Sequence, residues 1–104
     1  MSFFKSPEEK IAFVSSRSGY REIYVMNSDG KYRRQLTFFS SVAYHPAWSP
    51  DRTKIAFEAE KNGIDDIYIM SSDGTNITQI THGLSANRPS WSPDGKKLVF
   101  DVLK

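Results

Sequence analysis

Cysteine is absent from the 104 residues, which excludes disulfides, thiolate metal sites and thiol nucleophiles and leaves reducing and oxidising compartments equally open. Long apolar runs are missing too. Stretches such as Ile11-Ala-Phe-Val14 fall far short of the roughly 20 consecutive apolar residues of a membrane-spanning helix. The first nine residues, Met-Ser-Phe-Phe-Lys-Ser-Pro-Glu-Glu, contain neither the apolar centre nor the small-residue cleavage site of a secretory signal. That leaves the cytoplasm, or a signal lying outside this stretch of sequence. There is little excess of charge: 14 Lys and Arg stand against 12 Asp and Glu, spread along the chain instead of gathered into a basic stripe, which argues against nucleic acid as a partner. Nucleophile elbow, phosphate loop, His-Glu-x-x-His and calcium-loop motifs are all absent. Histidine occurs only at His45 and His82, and two imidazoles without a supporting carboxylate motif make a weak metal site. No catalytic residue, metal or cofactor is therefore assigned.

What the chain does have is a repeat. Shifted by 44 residues, Ile11-Ala-Phe13 falls on Ile55-Ala-Phe57, Ile23-Tyr24 on Ile67-Tyr68, Ser28-Asp-Gly30 on Ser72-Asp-Gly74, and Thr37 on Thr81. One residue is then dropped and the offset becomes 43: Trp48-Ser-Pro-Asp51 falls on Trp91-Ser-Pro-Asp94, and Phe57 on Phe100. So many ordered identities, both tryptophans among them, mark an internal duplication.

Within each copy, short segments rich in Ile, Val, Tyr and Phe alternate with Gly, Pro, Asn, Asp and Ser clusters every 8–12 residues, which predicts consecutive antiparallel strands. The complete copy predicts strands at 46–49, 54–59, 66–71 and 77–81, and four strands per repeat make one blade of a β-propeller. Asp29 and Asp73 precede the glycines of Asp-Gly hairpin turns, and Asp51 and Asp94 follow Ser-Pro, where an Asp side chain can bond the backbone two residues on, so a structural role is expected of all four.

Trp-Ser-Pro-Asp-Gly-Lys-Lys-Leu-Val-Phe at 91–100, with Asp-Ile-Tyr-Ile-Met at 66–70, Ser-Asp-Gly at 72–74 and Gln-Ile-Thr at 79–81, resembles the WD-like repeat of the TolB β-propeller family. Asp-Arg-Thr at 51–53 departs from the usual Asp-Gly turn and predicts one altered corner. The family's full domain is a six-bladed ring, so the expectation is an all-β, partial propeller. Residues 1–40 form a first blade whose opening strand, Phe4-Lys5-Ser6-Pro7, is degenerate; 41–84 form a second; 85–104 supply the first two strands of a further one. Two blades protect only the interface between them, and apolar faces of roughly several hundred Å² seldom stay bare. Self-association, strand exchange or a longer parent chain is therefore expected.

Function is expected at loops. The segment from Thr37 to His45 is rich in aromatics where loops are usually polar, and its counterpart from His82 to Arg88 adds an arginine. Aromatics and arginine are the residues that anchor protein contacts. Phe38, Phe39, Tyr44, His45, His82, Arg88, Arg17 and Arg21 are thus the candidate partner-binding residues. Two readings stay open here: Phe38 and Phe39 can instead fill the gap between blades, and Tyr44 and Arg88 can line the central channel. The resemblance implies a non-catalytic, periplasmic module whose partner is a protein such as a peptidoglycan-associated lipoprotein, with a role in envelope integrity. The alternative is the accessory propeller of a prolyl-oligopeptidase-like serine peptidase, since this repeat serves both.

Overall fold

β-Branched and aromatic side chains pack well on a pleated surface, and the Asp-Gly and Asn-Gly turns between them accept the left-handed backbone that tight hairpins require. The computed structural model describes residues 10–103. The degenerate strand read at residues 4–7 lies outside the described residues. Nine strands follow: β1 (Lys10–Ser15), β2 (Glu22–Asn27), β3 (Arg34–Gln35), β4 (Val42–Trp48), β5 (Lys54–Lys61), β6 (Ile64–Ser71), β7 (Thr78–Gln79), β8 (Ala86–Trp91) and β9 (Leu98–Val102). They form three antiparallel sheets in chain order, β1-β2-β3, β4-β5-β6-β7 and β8-β9, stacked face against face as a partial propeller.

Register decides which face of a sheet meets which neighbour. In the second sheet Phe57 pairs with Tyr68 and Ile55 with Met70, so all four share a face, while Ala56, Ile69, Glu58 and Ile67 take the other. The first face packs on Ile23, Val25 and Leu36 of the first sheet, with Phe39 and Trp48 at its margin. The result is visible in exposure: Ile55 is 0% accessible, whereas its repeat counterpart Ile11, on the outermost sheet, is 40% accessible.

Several strand boundaries differ from the sequence reading, and β5 and β6 each run two residues further into their shared hairpin, to Lys61 and from Ile64. The inner strands begin earlier, at Val42 and Ala86, so Tyr44, His45 and Arg88 stand on strands and not in loops. A bulge makes this possible: the register slips between Tyr44 and Ala47, and again between Asn87 and Ser90, with His45 and Arg88 each at a φ of 54°. The outer strands are shorter than read, two residues each, because successive amides then converge on one carbonyl. Leu36 and Thr37 both donate to Ile23 O, and Ile80 and Thr81 both donate to Ile67 O, which ends the ladder.

The turn aspartates behave as their chemistry suggests. Asp29, Asp51, Asp73 and Asp94 accept the backbone N–H of Lys31, Thr53, Thr75 and Lys96 respectively, each two residues on. The altered corner has a purpose of its own. Arg52 takes the position of Gly95 and keeps its left-handed backbone, φ 65° against 74°. It reaches back to the first sheet, donating to Lys10 O at 2.7 Å, and its guanidinium lies 4.5 Å over the Trp48 ring. Arg52→Ala is expected to cost about 1–2 kcal/mol, because the strain stays while the bond and the stacking go. Arg52→Gly should cost less, since glycine relieves the backbone. Urea unfolding of both variants checks this, and equal losses would show that the backbone strain is unimportant.

Candidate functional site

The bulge at His45 turns its imidazole onto Glu58, which stands across the ladder from Tyr44. The Glu58 side chain is buried between the second and third sheets. Its Oε1 lies 2.7 Å from His45 Nδ1 and accepts the Arg88 backbone N–H at 3.0 Å, so one carboxylate ties together the bulges of two neighbouring inner strands. Beside it, the Tyr44 hydroxyl donates to Asp65 Oδ2 at 2.8 Å, and the Tyr44 and His45 rings lie 4.7 Å apart.

The two carboxyls are driven in opposite directions. Burial alone would raise Glu58, but the hydrogen bonds from His45 and the Arg88 amide, with the polar Tyr44 hydroxyl close by, outweigh it and hold the carboxyl below the usual range. Asp65 is raised by burial and by the charges of Glu58 and Glu60, with the Tyr44 hydrogen bond only partly opposing. Burial also raises the Tyr44 phenol, as do its two carboxylate neighbours, so it stays a neutral donor. Chemically this is an imidazole fixed by a carboxylate. Among the described residues no serine or threonine hydroxyl bonds to that imidazole, and no group of three or more potential metal ligands occurs.

The aromatic residues go elsewhere. Phe39 turns inward, its ring edge-on to Phe57 at 5.8 Å and to Tyr68 at 5.0 Å. Phe38 points out and is 71% exposed. It lines a groove of about 720 Å³ where the first and second sheets meet, together with Leu36, Tyr68 and Ile77 and with Lys61 from the β5–β6 hairpin. The remaining candidates lie apart from both places. Arg17 stacks on Tyr24 of its own sheet at 5.6 Å. Arg21 joins the first sheet to the second, its carbonyl accepting the Ala43 amide at 2.8 Å. His82 is exposed, next to the loop that Asp66 ties down.

The structure thus gathers Tyr44, His45 and Arg88 around one pair of carboxylates and Phe38 and Phe39 around one groove, and leaves Arg17, Arg21 and His82 dispersed. Sequence reasoning passed over Glu58, although an acid inside the apolar run Ile55-Ala-Phe-Glu-Ala was a signal. It also passed over the acids Glu22 and Asp66, which occupy equivalent positions in the repeat, each 15 residues ahead of a threonine, Thr37 or Thr81.

The TolB beta propeller domain family matches residues 3–103. Among curated relatives, a TolB homolog of Chlorobium chlorochromatii is 50% identical over 42 residues, which is 40% of this chain and 10% of that protein. The Tol-Pal system protein TolB of Geobacter sulfurreducens is 48% identical over 42 residues, with the same coverage. The chain therefore spans about a tenth of the length of these relatives. Among solved structures, a TolB from Agrobacterium tumefaciens superimposes on 89% of the chain with a TM-score of 0.82 and 29% identity, using 34% of its own length. TolB from Acinetobacter baumannii superimposes on the same share with a TM-score of 0.77 and 29% identity, using 24% of its length. Repeat, blade topology and comparisons agree, and the chain belongs to the TolB β-propeller domain family.

Proposed function

We propose that this chain is a non-catalytic propeller module that binds a protein or peptide at the groove where its first two sheets meet. The observation that carries this reading is Phe38. A large aromatic ring that is 71% exposed at the mouth of an apolar groove contributes little to folding and is the type of residue that anchors an interface. Lys61 and Glu60 at the rim add charges that select among partners without carrying the affinity. The naming of relatives as Tol-Pal system proteins supports a periplasmic location and a partner in that system, such as a peptidoglycan-associated lipoprotein. The reading as the accessory propeller of a serine peptidase has no observation in its favour.

The test is a calorimetric titration of the chain with a peptidoglycan-associated lipoprotein. Phe38→Ala is expected to weaken binding tenfold or more, while thermal unfolding changes by less than about 0.5 kcal/mol, as for surface positions generally. Unchanged affinity in a variant that still folds would move the contact away from the groove.

A further inference from the structure

Along the sequence the cations are dispersed, but antiparallel strands send every second connection to the same end of a sheet. The fold therefore sorts them. The β2–β3 turn, the β6–β7 turn and the Ser-Pro-Asp corners after β4 and β8 lie at one end of the stacked sheets, together with the start of β1. Contacts join these segments: Arg52 donates to Lys10 O at 2.7 Å, Arg34 donates to Asp73 O at 3.1 Å, and the two corners enclose a single cleft.

This turn end carries Lys31, Arg33 and Arg34 on the first sheet, Arg52 and Lys54 at one corner and Lys96 and Lys97 at the next. With Lys10 they make eight cations against four aspartates, Asp29, Asp51, Asp73 and Asp94. All eight are exposed, and among the described residues none forms an ion pair with an acid. The aspartates are instead turned onto their own backbone amides. At the opposite end four Lys and Arg meet six acids among the described residues, and Glu22, Glu58 and Asp66 of these are buried. The positive charge is gathered on one face.

The repeat does not impose this arrangement, since the first copy has Lys31-Tyr-Arg-Arg34 where the second has Thr75-Asn-Ile-Thr78. Tyr32 adds a second sign. It sits at a φ of 61°, a left-handed backbone that suits Asn76 at the equivalent place but is costly for an aromatic residue. The ring is 78% exposed and contributes little to folding, so the fold does not account for it.

We propose that the turn end is a docking face for the surface of an anionic lipid bilayer, with its lysines and arginines against the headgroups, Tyr32 at the headgroup layer and no strand inserted. Lys and Arg are drawn to a negatively charged leaflet, and a phenol is amphipathic in the way that layer favours. Shape favours lipid over other polyanions. The cations stand on separate turns and corners of three sheets, an array spread across a surface. The cleft between the two corners holds only about 170 Å³ and is lined by Asp51 and Asp94, so it neither tracks a nucleic-acid backbone nor seats the anchor side chain of an acidic protein. Phe38 lies at the opposite end, so this face does not depend on what the groove there binds.

The test is flotation of the full chain with vesicles of phosphatidylglycerol or of phosphatidylcholine. The chain is expected to float with the first and not with the second, and to be released as ionic strength approaches about 0.5 M. The triple variant Lys31→Gln/Arg33→Gln/Lys97→Gln should bind about tenfold more weakly or worse. The variant Arg17→Gln/Arg21→Gln/Arg88→Gln has the same net charge and should bind like the unmodified chain, with circular dichroism showing that both keep their sheets. Tyr32→Asn should weaken vesicle binding and raise the melting temperature together, because the strain goes with the ring. Equal losses in the two triple variants overturn the proposal, since net charge alone would then be responsible. So does a chain that fails to float with phosphatidylglycerol at low salt, including one that binds polyglutamate or duplex DNA instead. The lipoprotein titration at Phe38 reads a different end of the molecule, so either reading can fail without the other.

Discussion

Phe57→Ala is expected to remove about 3–5 kcal/mol of folding stability. Phe57 is fully buried and touches both sheets of the main core. Its ring stacks on Tyr68 at 5.6 Å and receives the edge of Phe39 at 5.8 Å, so truncation forfeits the transfer free energy of the ring and the aromatic contacts together. The cavity would lie between two sheets whose backbones are fixed by their own ladders, and such a site cannot collapse around the missing ring. The same truncation at Phe13, its counterpart on the outermost sheet, should cost clearly less, because that ring is only partly buried. Urea unfolding of both variants decides. Equal losses would mean that the face carrying Phe13 is covered in solution as fully as the one carrying Phe57.

The second large effect concerns two acids. Glu22 is buried on β2, where it accepts the Thr37 hydroxyl at 2.6 Å and the amides of Phe39 and Ser40 at 3.2 and 2.8 Å. Asp66 repeats the arrangement on β6 with the Thr81 hydroxyl at 2.6 Å and the amides of Gly83 and Leu84 at 2.8 and 3.1 Å. In each case the threonine hydroxyl also accepts the amide of the residue that follows the acid, Ile23 or Ile67. Each acid therefore fixes the connection that leads the chain from one blade to the next. Glu22→Ala or Asp66→Ala leaves a hydroxyl and two amides without their acceptor and should cost about 3 kcal/mol, as removal of a charged group from a fully satisfied buried network does. Glu22→Gln and Asp66→Asn should recover little, since the new NH₂ meets a donor where the second carboxylate oxygen was.

The pH dependence of Asp66 has a definite sign. Burial pushes its carboxyl up, but the bonds from Thr81, Gly83 and Leu84 and the nearby His82 outweigh burial and hold it below its ordinary value of 3.8. A carboxyl lowered on folding contributes stability that is fully present above its unfolded pKa and is lost as the pH falls through the folded one. Urea midpoints should therefore drop below about pH 4, and Asp66→Ala should flatten that part of the profile. A profile of the same slope in the variant would assign the acid loss to other carboxyls.

The connections held by Glu22 and Asp66 also explain why part of the candidate site was legible and part was not. Phe38 and Phe39 are adjacent and equally apolar, so composition singles out both alike. One points to solvent and the other into the core because the Phe39 amide is pinned to Glu22, 17 residues away, and such a long-range bond leaves no local trace. The sequence alone puts Tyr44, His45 and Arg88 in the connections between copies, with the inner strand of the complete copy starting at the proline that follows His45. The inner strands nevertheless run through them, since a bulge absorbs the proline and the left-handed residue before it.

By itself the sequence determined the repeat, the strand type, the turns and the family, because each rests on local chemistry: alternation, β-branched and aromatic content, Asp-Gly and Ser-Pro-Asp corners, and their order along the chain. Only the tertiary structure decided which face of each sheet is covered, that Arg52 reaches back to the preceding sheet, that Glu58 joins two inner strands, and that the Trp91 indole bonds back to Ala47. Those outcomes depend on register and on contacts between blades some 40 residues apart in the chain, and no pattern within one repeat specifies what the next repeat places against it.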